Sequence, residues 1–246
     1  MRIAAVVGVC LGLVAGAGAQ NAPWSYVGKT GPLNWGKLDP AYRACGQGHE
    51  QSPIDLRGAR LNKALAPLEF HYISGPVTVE NTGNLIVVRM NPGGFLEADG
   101  VRYGLEKMEF HRPSESAVKG KLNDMGVELV HKSADGKMAI VEVRFTMDRG
   151  DPNAMMAALW EHLPAAGASE KVAGPLNAGG FLPGDRGYWT YMGSLSTPPC
   201  TEGVRWFVMQ QDLSVSREQV RQFSGLFRMS SRPLQDAHGR KIEGNE

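Results

Sequence analysis

The sequence predicts one domain built mainly of β-strands, with a few short helices at its periphery, and three observations carry this. The 31 glycines and 15 prolines are spread along the chain at short intervals, as turns between many strands would require. The stretch Lys107-Met-Glu-Phe-His111 alternates with a period of two, placing Glu109 and His111 on one face and Met108 and Phe110 on the other. A length of 246 residues suits a single large core, and no internal repeat, low-complexity tract or long linker divides it.

Met1-Arg2, the apolar run Ile3 to Val14 and Ala17-Gly-Ala19 read as a secretory signal at 1–19, leaving a domain at 20–246. An exported protein, periplasmic or released beyond the cell, is therefore expected, with no membrane span after cleavage. Cys10 lies inside the apolar run and no cysteine follows the cleavage point, which argues against a lipid anchor. Two helices are predicted. One runs from Asn153 to Leu163 after Asp151-Pro152, and the other from Ser216 to Phe227, where Ser216 caps with Gln219 three residues on.

The 26 basic and 25 acidic residues nearly balance, and Arg2 leaves with the signal. No Lys/Arg cluster interrupts this balance. Nucleic acid is not an expected partner, because neutralising phosphates takes a basic face.

Glu128 stands on a second strand-like run, Gly126 to His131, with Val130 on its face and Val127, Leu129 and His131 on the other. If the two strands are neighbours, Glu109, His111 and Glu128 converge. Two carboxylates and one imidazole make a donor set for zinc, manganese or iron. Without a metal, two such carboxylates repel, and one keeps a proton or pairs with Lys107 or Arg112.

Four motifs in order, Gln51-Ser-Pro-Ile-Asp55, Pro113-Ser-Glu115, Glu128-Leu-Val-His131 and Tyr188-Trp-Thr-Tyr-Met-Gly-Ser-Leu-Ser-Thr-Pro-Pro-Cys200, resemble those of the bacterial α-class carbonic anhydrases. The resemblance runs from about Trp24 to Arg240 and implies a large, twisted, mostly antiparallel central sheet. In that family three histidines hold a zinc ion. Only His111 matches one of them, while Glu109 and Glu128 occupy the other two places.

The resemblance also implies roles around the metal. Ser196 and Glu115 match the family's hydroxyl and carboxylate pair that orients the attacking oxygen, although a Ser capping a turn and a Glu satisfying buried amides remain open as readings. Val130, Ile140, Leu195, Thr197 and Trp206 match the substrate pocket. Asn84 and Lys107 fall at the cavity mouth, and Asn84, an amide, stands where fast members carry a proton-shuttling histidine. Ser116 likewise replaces a histidine. His131 is expected in the core with a hydrogen-bond partner, and His49, His71, His162 and His238 show no ligand spacing.

Cys45 and Cys200 are expected to pair in an exported chain, closing a loop of about 155 residues and stabilising the fold by about 4–5 kcal/mol, with two free thiols as the alternative. Bacterial family members have cysteines at matching places.

Three neutral imidazoles leave zinc its double charge, which brings its water to a pKa of about 7. Two carboxylates cancel that charge. The expectation is a carbonic anhydrase-related binding protein, with CO2 hydration lost or much reduced and with no metal or one weakly bound divalent ion. The alternative is an active carbonate dehydratase, or a slow hydrolase, that works through Glu109, His111 and Glu128. Its small-molecule partner would be CO2 or bicarbonate; a binding protein's partner is not written in the sequence.

Overall fold

The computed structural model of the protein describes residues 23–90, 92–148 and 150–245. The predicted signal at 1–19 lies outside them. The described residues form thirteen strands: β1 (Arg60–Leu61), β2 (Glu69–Tyr72), β3 (Gly75–Asn81), β4 (Ile86–Met90), β5 (Gly94–Ala98), β6 (Val101–His111), β7 (Met125–Ser133), β8 (Met138–Thr146), β9 (Ser169–Leu176), β10 (Tyr188–Ser194), β11 (Glu202–Met209), β12 (Leu213–Ser214) and β13 (Glu243–Gly244). They join one sheet, in the order β1-β13-β10-β11-β8-β7-β6-β4-β3-β9, with β5 attached to β6, β2 to β5 and β12 to β8. Most pairs are antiparallel, as expected; β11 and β12 run parallel to β8, and β1 parallel to β13.

Four short α-helices flank the sheet: α1 (Trp35–Leu38), α2 (Ala44–Gln47), α3 (Ala154–Trp160) and α4 (Arg217–Leu226). In α4 the hydroxyl of Ser216 accepts from the Gln219 amide and the Gln219 side chain accepts from the Ser216 amide, the capping box read from the sequence. Asn153 caps α3 through Met156 N. That helix ends at Trp160 rather than at Leu163, because Pro164 pushes the residue before it out of the helical region. No helix among the described residues is long and apolar enough to cross a membrane.

Period-two alternation sorts the two faces of the central strands. Met108, Phe110, Val127, Leu129, Val141 and Val143 join the main core with Phe181, Trp160 and Phe223. Phe110 meets Trp160 edge-on at 4.9 Å and Phe181 at 5.5 Å, so the helices cover this face. The opposite face carries Val130, Ile140, Tyr191, Trp206 and Val208, with Ile54 packed among them. Because β7 is buried on both faces, the polar residues on that second side are buried too.

The N-terminal segment closes over the sheet with a third cluster, which includes Tyr26, Trp35, Cys45, Leu85 and Cys200. Cys45 and Cys200 are joined as a disulfide across a sequence separation of 155, as expected.

Candidate metal centre

The strands β6 and β7 pair antiparallel with Glu109 directly opposite Glu128 and His111 opposite Gly126. This register brings one ligand atom each from Glu109, His111 and Glu128 within 4.8 Å of one another. All three side chains are buried, with exposures of 8%, 0% and 1%. The alternation visible in the sequence chose the face, and the register, which the sequence left conditional, completed the trio.

His111 is fixed from behind. Its Nδ1 lies 2.7 Å from the carbonyl of Ser230 and 3.0 Å from Glu115 Oε1, so a proton on Nδ1 serves both, and Nε2 turns toward Glu128 Oε1 at 3.7 Å. Nε2 and both Glu128 oxygens are buried without any hydrogen-bond partner. Burial alone would lower the imidazole pKa, but the carboxylates of Glu128 and Glu115 outweigh it and hold His111 up to about 10. Burial, opposed by His111 and reinforced by repulsion from Glu115, Glu109 and Glu142, raises Glu128 well above the ordinary carboxylate range. Both groups hold protons, Glu128 chiefly because it is buried and His111 because carboxylates crowd a floor with a shortage of positive charge.

A third carboxylate explains part of that shortage. Glu142 on β8 stands directly opposite Glu128, so Glu109, Glu128 and Glu142 form a row across three adjacent strands, an arrangement that like charges disfavour. Glu142 is satisfied by the amides of Glu115 and Ser116, each 3.0 Å from its Oε1, and so holds the Pro113-Ser-Glu115 turn in place. The sequence reading missed it. An acid in the middle of the apolar run Met138–Thr146, on the face of Ile140, was the available signal.

Glu109 is answered by Lys107, whose ammonium lies 2.8 Å from Glu109 Oε1. Arg112, the other candidate, instead donates to the carbonyl of Arg228. Glu115 accepts the amide of Arg232 at 3.1 and 3.2 Å, the buried-amide role left open in the sequence. The Ser196 hydroxyl is buried with no partner, so the expected bond between it and Glu115 is not made. His111 and the Arg232 amide hold the carboxylate elsewhere.

Val130, Ile140 and Trp206 do meet in one buried cluster with Leu195 packed against it, and Thr197 is half-buried beside Ser196. Asn84 is half-buried, its amide donating to the carbonyl of Trp24 at 2.8 Å, and it lines a groove of about 290 Å³ with Tyr26 and Phe227. Tyr26 and Arg232 were also missed. The phenol of Tyr26 is buried without a partner and raised by burial and then by Glu115, Glu109 and Glu128, so it belongs to the same electrostatic neighbourhood. The guanidinium of Arg232 binds Gln51 Oε1, the carbonyl of Ser52 and the carbonyl of Cys45, tying the first motif to the floor. Nothing local in the sequence marks either residue.

His131 faces the other way, as expected, with Nε2 at 2.7 Å from the Tyr72 hydroxyl. Burial pushes it down to about 4. The folded chain therefore keeps this imidazole neutral while the unfolded chain protonates it at about 6.5, so stability is full above that value and falls as the pH drops toward 4. Against His131→Gln, which keeps an acceptor for Tyr72 but does not titrate, urea titrations are expected to show the parent losing about 2–3 kcal/mol more between pH 7 and 4.5. Parallel losses in the two proteins would contradict this.

The donor set fits a divalent cation. Unpartnered buried nitrogen and oxygen atoms are uncommon in folded proteins, and here three of them face one point beside a further carboxylate. One imidazole with two carboxylates is a hard donor set that accepts manganese or iron as readily as zinc.

A family model described as eukaryotic-type carbonic anhydrase matches residues 30–246. The chain is 35% identical over 244 residues to a carbonic anhydrase of Pectobacterium carotovorum, covering 98% of each chain. It is 37% identical over 198 residues to dioscorin DB3S of Dioscorea polystachya, covering 77% of this chain and 72% of that one. Among solved structures, a hyperthermostable carbonic anhydrase from a hydrothermal vent chimney superposes with a TM-score of 0.85 at 39% identity, over 90% of this chain and 99% of that one. The α-carbonic anhydrase of Thermovibrio ammonificans, solved with the inhibitor sulfanilamide, gives 0.87 at 35%, over 91% and 100%. A dioscorin complexed with ascorbate gives 0.82 at 32%, over 90% and 97%. With the sheet, the Pro113-Ser-Glu115 turn and the inward-facing trio on β6 and β7, these likenesses establish that the chain belongs to the α-carbonic anhydrase family.

Proposed function

We propose that this protein is an exported, carbonic anhydrase-related binding protein whose floor takes a divalent cation weakly and whose CO2 hydration is lost or much reduced. The observation that carries this is the pair of carboxylates, Glu109 and Glu128, flanking His111 in the family's metal position. A bound dication supplies Lewis acidity, and two anionic ligands cancel the charge from which that acidity comes. Ser196 adds to the loss, since a hydroxyl without the Glu115 bond has no fixed donor direction. Asn84 cannot carry a proton out, because an amide does not titrate at ordinary pH. The disulfide supports export, since such bridges persist in oxidising compartments. A binding role is also in keeping with the dioscorin relative, which was solved in complex with ascorbate.

A second reading, a slow carbonate dehydratase or hydrolase, is favoured by Nε2 of His111 and the oxygens of Glu128, which are buried without hydrogen-bond partners and become ligands once an incoming ion displaces the proton held on His111. Metal analysis of protein purified without chelator, paired with stopped-flow CO2 hydration after addition of zinc or manganese, separates the two. Substoichiometric metal and hydration close to the buffer rate are expected. Stoichiometric metal with rapid hydration would establish the second reading instead. The mass of the exported protein should place its first residue at Gln20.

A further inference from the structure

Of the three donors in the trio, two keep atoms without partners, while the third, Glu109, already holds a cation of the protein's own. Lys107 stands two residues before Glu109 on the same face of β6, and its side chain is 27% exposed, against 8% for Glu109 and 0% and 1% for His111 and Glu128. No other basic group takes that place among the described residues. Arg89, the register neighbour of Lys107 on β4, is paired with Glu80 at 2.8 Å, and Arg112 is spent on the Arg228 carbonyl.

We propose that Lys107 is a built-in competitor for the metal position: its ammonium occupies Glu109 and repels a dication, so an incoming ion must send Lys107 outward before the donor set is complete. The proposal rests on the reading that the trio takes a divalent cation, and it names what sets the strength of that binding. Two positive ions sharing one carboxylate in a partly buried site repel strongly, far more than in water. The flexible stem of a lysine and the strong hydration of its ammonium favour release into solvent, and the exposed part of Lys107 supplies the route. The contact also lets the chain fold without metal, because it removes one uncompensated charge from a row of three glutamates.

The test is calorimetric titration of metal-free protein with Mn²⁺ and, separately, Zn²⁺, with thermal melts in chelator and in saturating Mn²⁺. Lys107→Gln is expected to bind both ions roughly tenfold or more tighter than the parent, the size of effect that partners of metal ligands exert. It should melt lower than the parent in chelator and gain more from Mn²⁺. Lys107→Met, which removes the donor altogether, should behave alike, whereas Lys107→Arg, which keeps the charge, should bind no tighter than the parent. Equal or weaker binding by the Gln and Met variants overturns the proposal and leaves the functional reading intact, for Lys107 would then be orienting Glu109 as a ligand. If neither parent nor variants take up either ion, the competitor and the cation site fall together. Should Lys107→Gln bind zinc tightly and also hydrate CO2 rapidly, the competitor stands and the reading of lost hydration falls.

Discussion

Replacing Glu109 and Glu128 together by histidine is expected to give a protein that retains zinc stoichiometrically and hydrates CO2 faster than its parent by roughly three orders of magnitude, or about 4 kcal/mol of barrier. The change acts on two linked quantities. Glu128 contributes most to holding the proton on His111, so its removal frees Nε2 to ligate near neutral pH. Two imidazoles in place of two carboxylates then leave the ion its full double charge. Either single replacement should recover much less, since one carboxylate still halves that charge. Atomic absorption and stopped-flow measurements on the three variants check this. Zinc bound without hydration would mean that the cavity around Ser196 and Glu115, and not the ligand set, is what limits activity.

Cys45→Ala/Cys200→Ala is expected to lose about 4–5 kcal/mol of stability, the chain-entropy value for so long a loop, and about 10–15 °C of melting temperature. The bridge spans 155 residues and sits where several long-range bonds meet. The carbonyl of Cys45 accepts from Arg232, and that of Cys200 accepts from the Gln51 side chain. Loosening the bridge therefore loosens Arg232, whose amide holds Glu115 in the floor. Urea unfolding of the variant, and of the parent with and without reductant, measures the loss. A midpoint unmoved by reduction would show that the tertiary bonds alone carry this corner.

Whatever depends on near neighbours was legible along the chain. Period-two alternation put Glu109 with His111, and Glu128 with Val130, on the face opposite the core, because a strand has no other way to place successive side chains. The capping box of α4 lies within four residues and was legible for the same reason. Motif order carried the family, and with it the sheet and the strands that bring Glu109, His111 and Glu128 together.

Which charge answers which was settled by the assembled fold. Glu142 reaches the floor through the register of β7 with β8, Arg232 arrives from near the C-terminus and Tyr26 from near the N-terminus, and no local pattern encodes such meetings. The structure likewise left Ser196 without Glu115 and gave Glu109 to Lys107 rather than to Arg112. Charges buried together are set by distances of a few ångströms between segments far apart in the chain. Residue types can announce that a floor is acidic, while only packing fixes which groups answer it.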